Sequence, residues 1–77
     1  MHIADLAEGE QARVVAIAAS SPELEAKLRE IGFCEGDEVQ LLTRGPLGGQ
    51  PLAVRLNRRV IAMRNNEAAA VLVEALT

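Results

Sequence analysis

The residue types that can hold a transition metal gather at two places in the sequence, the N-terminus and the segment after residue 33. In chain order they are His2, Cys34, Glu35, Asp37 and Glu38. A ferrous site needs three or four ligands that converge on one point, and carboxylates two positions apart at a turn are ordinarily solvated. The spacing therefore predicts no dedicated metal site, and His2 and Cys34 are the candidate ligands if one exists. We expect Cys34 to be a small buried or half-buried residue.

Groups that could perform catalysis are also sparse. His2 is the only histidine, and no base stands near Cys34 in sequence, so the chain shows no nucleophile with an activating partner. The phosphate-binding pattern G-x-x-x-x-G-K-[ST] is missing, and Gly48-Gly49 does not precede a predicted helix. These observations predict a protein that is not an enzyme and carries no cofactor.

The composition excludes several classes of partner. Phe33 is the only aromatic residue, which rules out stacking platforms for single-stranded nucleic acid and aromatic grooves for proline-rich peptides. Asp and Glu number 11 against 8 Lys and Arg, a balance that disfavours binding to duplex phosphates. We therefore expect no nucleic-acid partner, and a nucleic-acid-binding barrel stands third among the functions considered.

The length predicts a single domain over residues 1–77. A chain of 77 residues buries only about 60% of its unfolded surface, which is enough for one core. One cysteine excludes an internal disulfide and suits a reducing compartment. No stretch approaches the roughly 20 apolar residues of a membrane span, and the N-terminus has no basic, apolar leader. We expect a cytoplasmic protein without membrane insertion.

One proper helix is predicted after the first strand. Ser20 supplies an N-cap, Pro22 suits the first helical position, and Glu23 can close a capping box from Ser20. Gly32 should end the helix with a positive φ, and Phe33 should pack back onto the last turn. The apolar stripe, spaced at i, i+4 and i+7, consists of Leu24, Leu28 and Ile31.

The remaining signals predict short strands, which favours a small closed barrel. The segment 45–51 is rich in glycine and proline and should be irregular. A tight turn at Asn57-Arg58 would pair Leu52 with Met63 and Val54 with Ile61, whereas a turn at Arg58-Arg59 would keep the same faces. The fold class is mostly β, with about five strands, one α-helix between strands 1 and 2, and a short helical turn before the last strand. The predicted strands are 12–18, 38–44, 52–57, 60–64 and 71–74, and the helical turn is 68–70.

Several short motifs give the chain a family resemblance. They are a helix ending L-x-x-I-G, then E-G-D, P-L-G-G-Q-P, I-A-M-R, E-A and V-x-V. In this order they resemble the FeoA family, the small ferrous iron transport protein A, over a match from about Leu6 to Val73. The residues that match best are Leu28, Ile31, Gly32, Gly36, Pro46, Leu47, Gly48, Pro51, Ile61, Arg64, Glu67, Ala68, Val71 and Val73.

The resemblance implies an SH3-like barrel and an accessory role in Fe(II) uptake, through contact with the cytoplasmic part of FeoB, a membrane transporter that carries a GTPase domain. Three features depart from the family pattern: Glu35 replaces a usual proline, the loop 46–51 has one extra residue, and Asn57-Arg58 replaces a turn that usually includes glycine. A second relative is the FeoA-like domain of some metal-dependent repressors. It implies the alternative function, a metal- or ligand-sensing module, and homo-oligomerisation is left open.

Aliphatic residues on the solvent side of the strands are the first candidates for a partner-binding surface. Alternation places Leu42, Val60, Ala62 and Leu72 there. If they lie on neighbouring strands they would form one patch, and such patches mark interfaces more often than isolated exposed residues do.

An asymmetric charge distribution supplies the other candidates. Residues 1–40 hold nine acidic and three basic side chains, a net charge of −6, whereas residues 41–77 hold five basic and two acidic, a net charge of +3. We predict Leu47 as an apolar anchor with Arg55, Arg58 and Arg59 as its basic rim. The alternative is that Leu47 folds back onto the end of the barrel.

Overall fold

The computed structural model describes residues 1–76 and arranges five strands in one antiparallel sheet. A 3-10 turn (Ile3–Asp5) precedes the first strand, and the sheet order is β4-β3-β2-β1-β5. In chain order the elements are β1 (Gln11–Ile17), α1 (Pro22–Ile31), β2 (Glu38–Gly45), β3 (Gly49–Leu56), β4 (Arg59–Met63), α2 (Asn65–Ala69) and β5 (Val71–Ala75). The predicted mostly β class, with one helix after the first strand and a short one before the last, is confirmed.

The sheet is open, contrary to the expected closed barrel. Within residues 1–76, β4 and β5 form its two edges and do not pair with each other. The chain ahead of β1 covers the β5 edge instead: Val73 N donates to the carbonyl of Met1 over 2.9 Å, and His2 bridges Leu72. The N-terminus therefore occupies one edge and leaves β4 as the other.

The core lies on one face of the sheet, and α1 contributes to it its one buried residue, Leu28. The N-terminal turn adds Ile3 and Leu6, neither more than 1% exposed, although the sequence pattern predicts no element before β1. Their i, i+3 spacing is the signal for that turn. The other buried apolar residues are Ala12, Val14, Phe33, Val39, Leu41, Leu52, Val54, Leu56, Met63, Ala68, Ala70, Val71 and Val73.

The N-cap of α1 is one residue later than the sequence predicts. Ser21, not Ser20, is the N-cap, and its Oγ accepts a hydrogen bond from Leu24 N over 3.1 Å. Because Pro22 occupies the first helical position, the cap falls directly before it, and Glu23 is one position too early for the capping box. The helix still begins where the sequence predicts.

The end of α1 is as predicted. Gly32 has a φ of +123°, and Phe33 N donates to the carbonyl of Leu28 over 3.1 Å. Phe33 is buried in the same core cluster as Leu28. This arrangement gives a carbonyl of the last helical turn a hydrogen-bond donor. The chain then enters the turn before β2, called here the acidic turn, which contains Glu35 and Asp37.

The turn between β3 and β4 is centred on Asn57-Arg58 and not on Arg58-Arg59. Asn57 has a φ of 55°, and the strands pair Leu52 with Met63 and Val54 with Ile61. The turn at Asn57-Arg58 is confirmed, because asparagine tolerates the left-handed backbone conformation that it requires.

Candidate partner-binding surface

Leu47 lies at the tip of the β2–β3 hairpin and is 78% exposed. The tip is fixed by its own backbone, since Leu47 N donates to the carbonyl of Gln50 over 3.3 Å and Gln50 N returns a bond of 3.2 Å. The alternative, in which Leu47 folds back onto the barrel, is wrong. A large aliphatic side chain is held in solvent by a structured turn.

The hairpin continues through the segment that was expected to be irregular. β2 runs to Gly45 and β3 starts at Gly49, so only three residues form the tip. Pro51 is tolerated within β3 because the β2–β3 register shifts next to Arg44 and Gly45, which leaves no ladder bond for the missing proline N–H to make.

Gly45 permits the close approach of the two strands below Leu47. A Cβ at this position would overlap the backbone carbonyl of Gln50. We expect Gly45→Ala to lower the free energy of unfolding by about 1 to 3 kcal/mol, the usual cost of an overpacked site, and to displace the hairpin tip. Thermal melting measures the loss. Ser20→Ala is the control, because Ser20 is exposed in the bend before α1 and the substitution adds no atoms. An equal loss in both variants would show that the loss does not come from the close approach at Gly45.

A cleft of about 440 Å³ opens beside the tip, and Leu47, Gln50, Pro51 and Arg64 line it. Asn65 N donates to Gln50 Oε1 over 2.8 Å, which ties the tip to the start of α2. The cleft thus combines two apolar side chains with one guanidinium. Chemically it suits an aliphatic side chain that has a carboxylate close by.

The predicted basic rim does not surround Leu47. Leu47 precedes β3, whereas Asn57-Arg58 follows it, and the eight residues of that strand span about 26 Å. The predicted single surface is therefore divided between the two ends of β3. The cation beside Leu47 is Arg64, which belongs to the I-A-M-R motif and is not among the surface residues predicted from the sequence.

Two of the three rim arginines are also engaged within the fold. The Arg59 guanidinium donates to the carbonyl of Ile31 at the end of α1, and Arg55 Nη1 donates to Gln40 Oε1 over 3.2 Å. Among residues 1–76, Arg58 takes part in no ion pair. Arg58 is therefore the member of the rim whose guanidinium is not held, within these residues, by another group of the fold.

The four aliphatic candidates do not form one patch. Val60 is 58% exposed and Ala62 is exposed, but Leu42 and Leu72 are half-buried. Leu42 lies at a register shift between Leu41 and Thr43 that simple alternation does not anticipate, and Leu72 bridges the N-terminal segment. The strands that carry them, β4, β2 and β5, are not adjacent, so Val60 and Ala62 remain as the exposed pair.

The carboxylates of the acidic turn and of Glu38, the first residue of β2, bind other groups of this protein. Arg29 donates to both oxygens of Glu35 over 2.7 and 3.1 Å, and this pairing lowers the pKa of Glu35 to about 2. Asp37 Oδ2 accepts from Cys34 N over 3.1 Å, and Glu38 pairs with Arg13 at 3.4 Å. Each carboxylate therefore has a partner in the protein.

The two candidate metal ligands lie apart from any cluster of such residues. Cys34 is exposed, contrary to the expected burial, because the left-handed Gly32 directs the buried Phe33 inward and leaves the next residue in the turn. His2 is half-buried beside Asp5, with Nδ1 3.6 Å from Oδ2. Among residues 1–76, no three His, Cys, Asp or Glu side chains are grouped so that they could hold a metal ion.

Glu67 is a buried carboxylate that connects α1 with the end of β4. It is 7% exposed, and its oxygens accept from Arg64 N over 2.8 Å and from Lys27 Nζ over 2.5 Å. Burial raises the pKa of Glu67, but the hydrogen bonds and positive charges of Lys27 and Arg64 outweigh it, so the pKa lies below its ordinary value. This capping also starts α2 at Asn65, three residues before the predicted helical turn.

The open five-stranded sheet, with a helix between its first two strands, defines a small SH3-like domain. Its solved relatives include the zinc-complexed FeoA of Stenotrophomonas maltophilia, described as an SH3 domain protein that possibly acts as a ferrous iron transport activating factor. That structure is 33% identical with a TM-score of 0.85, over 96% of this chain and 89% of the other. The FeoA protein of Chlorobium tepidum is 32% identical with a TM-score of 0.87, over 100% and 71% of the two chains.

The family model for the FeoA domain matches residues 1–75, and the chain belongs to the FeoA family. This family is associated with ferrous iron transport. A manganese-dependent transcriptional repressor shares the fold at 17% identity and a TM-score of 0.87, over 99% of this chain and 41% of the repressor. A search among curated proteins found no match. Within residues 1–76, neither helix is long and apolar enough to cross a membrane.

Proposed function

We propose that this protein is a cytoplasmic, non-enzymatic adaptor of Fe(II) uptake, which binds the cytoplasmic part of a FeoB-type membrane GTPase transporter. Family membership supports the link to ferrous iron transport. The observation that carries the docking role is the exposure of Leu47 on a turn whose backbone is internally bonded. An exposed anchor on a rigid support loses little conformational freedom when it binds.

The chemistry of the cleft defines what the transporter must present. Leu47 and Pro51 form an apolar surface, and Arg64 stands at its border. Interfaces commonly bury such an anchor at their centre and use the surrounding charge for steering. The transporter should therefore contribute an aliphatic side chain with an acidic neighbour.

Replacing the anchor tests this function. We expect Leu47→Ser to weaken binding of the transporter's purified cytoplasmic domain by about tenfold to a hundredfold, as loss of an interface hot spot does, measured by titration calorimetry. Val15→Ser is the matched control, because Val15 is an exposed aliphatic residue on β1. Circular dichroism establishes that both variants fold. Equal affinities of the two variants would place the anchor elsewhere and contradict the proposal.

The second candidate function is a metal- or ligand-sensing module, which the shared fold of the manganese-dependent repressor favours. Titration of the protein with Fe(II) and Mn(II) by calorimetry separates the two functions. The adaptor function predicts no saturable binding in the micromolar range. Stoichiometric binding that is lost in a His2→Ala, Cys34→Ser double variant would instead support the sensing module.

A further inference from the structure

The outer edge of β4 presents backbone groups that no other strand uses. The turn at 57–58 has two residues, and the pair that flanks such a turn, here Leu56 and Arg59, exchanges both of its hydrogen bonds. Alternation along the strand then directs the N–H and C=O groups of Val60 and Ala62 away from β3. Within residues 1–76, no backbone group pairs with them.

The residue after β4 supports this alternation. Arg64 continues the series of Val60 and Ala62, and its N–H donates to Glu67 Oε1, outside the β3–β4 ladder. The glutamate thus satisfies the last outward group of the series. The preceding groups, those of Val60 and Ala62, belong to residues whose side chains are exposed.

The charge along this edge selects the kind of segment that can pair with it. Arg58 precedes β4 and Arg64 follows it, and within residues 1–76 neither guanidinium takes part in an ion pair. Arginines at an edge oppose pairing with neutral or basic strands and favour acidic ones.

We propose that the β4 edge binds an extended acidic segment of the partner protein, which adds a strand to the sheet next to β4. Main-chain hydrogen bonds to Val60 and Ala62 supply the pairing, and Arg58 and Arg64 select carboxylates near the two ends of the segment. The binding requires no side-chain pocket, in agreement with the small outward side chains of the strand.

A second copy of this chain would meet like charges in the register that uses the outward groups of both Val60 and Ala62. Antiparallel pairing of two β4 strands about a two-fold axis at Ile61 would place Arg58 of each copy opposite Arg64 of the other. Like charges directly opposite each other destabilise a strand pair. This register, in which Val60 of each copy pairs with Ala62 of the other, is therefore disfavoured, whereas an acidic segment meets opposite charges at both ends.

The β4 edge also links the two ends of the divided surface. Arg64 lines the cleft beside Leu47, while Arg58 lies at the far turn. A segment that follows the five residues of β4, about 17 Å, reaches from Arg58 to the cleft. This inference rests on the proposed function only for the identity of the partner, since the segment would belong to the transporter's cytoplasmic part.

A synthetic peptide of alternating valine and threonine with glutamates at both ends tests the edge directly. A peptide with lysines in place of the glutamates is the control probe. We expect the acidic peptide to bind in calorimetry and to slow amide hydrogen exchange at Val60 and Ala62, and we expect the basic peptide not to bind. Equal binding of both peptides, or slowed exchange confined to other strands, would overturn the inference.

Two pairs of variants test the contacts. Ala62→Pro removes an outward N–H without a β3 bond, and we expect it to weaken peptide binding by about tenfold, whereas Ala62→Ser should change it little. Arg58→Gln should weaken binding in a salt-dependent way, whereas Arg13→Gln, the same charge change on β1, should not. If Ala62→Pro does not fold, the arginine pair still decides the question, because equal binding of its members would contradict the proposal.

The same variants separate this inference from the proposed function. If the transporter's cytoplasmic domain binds Ala62→Pro and Ala62→Ser equally, the inference fails while the adaptor function stands. If the acidic peptide protects β4 but the transporter domain does not bind, the adaptor function fails while the inference stands. A concentration-dependent dimer that Ala62→Pro abolishes would assign the edge to a second copy and overturn the inference.

Discussion

Leu28→Ala should remove about 2 to 5 kcal/mol from the free energy of unfolding, a large share of the stability of a small domain. The Leu28 side chain is 0% exposed, and it is the one buried residue that α1 contributes to the core. Truncation leaves a cavity that the rigid sheet cannot fill. For a domain of this size the melting temperature should fall by roughly 10 °C or more.

Thermal unfolding followed by circular dichroism measures this effect. Glu30→Ala is the matched control, because Glu30 is exposed on the same helix and truncation there should change the stability by no more than about 0.5 kcal/mol. If Leu28→Ala melted within a degree or two of the parent protein, α1 would not contribute Leu28 to the core and the description of the fold would be wrong.

Glu67→Gln should lower the free energy of unfolding by about 1 to 3 kcal/mol, the range for a hydrogen-bonded buried group that loses its partner. The amide keeps an oxygen for Arg64 N, but it loses the charge that holds Lys27. Because Lys27 is 60% exposed, solvent screens part of the ionic contribution, and the lower half of the range is expected. Chemical denaturation gives the value, and Glu74→Gln on β5 is the control, since Glu74 is exposed.

The dependence of this effect on pH has a definite sign. The pKa of Glu67 is lower in the folded protein than its ordinary value of 4.5, so the stabilisation is present above that value and is lost as the pH falls through the folded pKa. The difference in stability between the parent protein and Glu67→Gln should therefore shrink below about pH 4.5. Glu35, whose pKa is also lowered, is present in both proteins and cancels in this comparison. A difference that grows in acid would show that the ion pair does not stabilise the fold.

Local signals predicted most of the elements correctly. The end of α1 at Gly32 and the turn at Asn57 can be predicted from the sequence, because glycine and asparagine tolerate the positive φ that these positions require. The apolar stripe of α1 likewise predicted that Leu28 lies in the core. These features depend on neighbours within a few positions, which a single sequence contains.

The errors arise where a close approach of two backbones, or the position of a distant segment, decides the structure. The Gly45–Gly49 pair converts a segment that composition marks as irregular into a hairpin, through an approach of backbones that no local pattern encodes. Burial of Ile3 and the open β4 edge depend on where the N-terminus lies across the sheet.

The sequence predicts one of the two features of the candidate surface, the exposed Leu47, and misses its basic neighbour. The exposure of Leu47 follows from its place in a turn, but its basic neighbour does not. The charge distribution along the sequence favours Arg55, Arg58 and Arg59, whereas the tertiary fold brings Arg64 to the cleft, because Asn65 N donates to Gln50 at the hairpin tip.

Nuclear magnetic resonance mapping of the transporter's unlabelled cytoplasmic domain on this isotopically labelled protein tests the adaptor function most directly. If the transporter docks at the cleft, the amide resonances of Leu47, Gln50 and Arg64 should shift or broaden at stoichiometric addition, and Leu47→Ser should abolish these changes. Unchanged spectra at saturating concentrations, or changes confined to β1 and β5 around Val15 and Leu72, would contradict it.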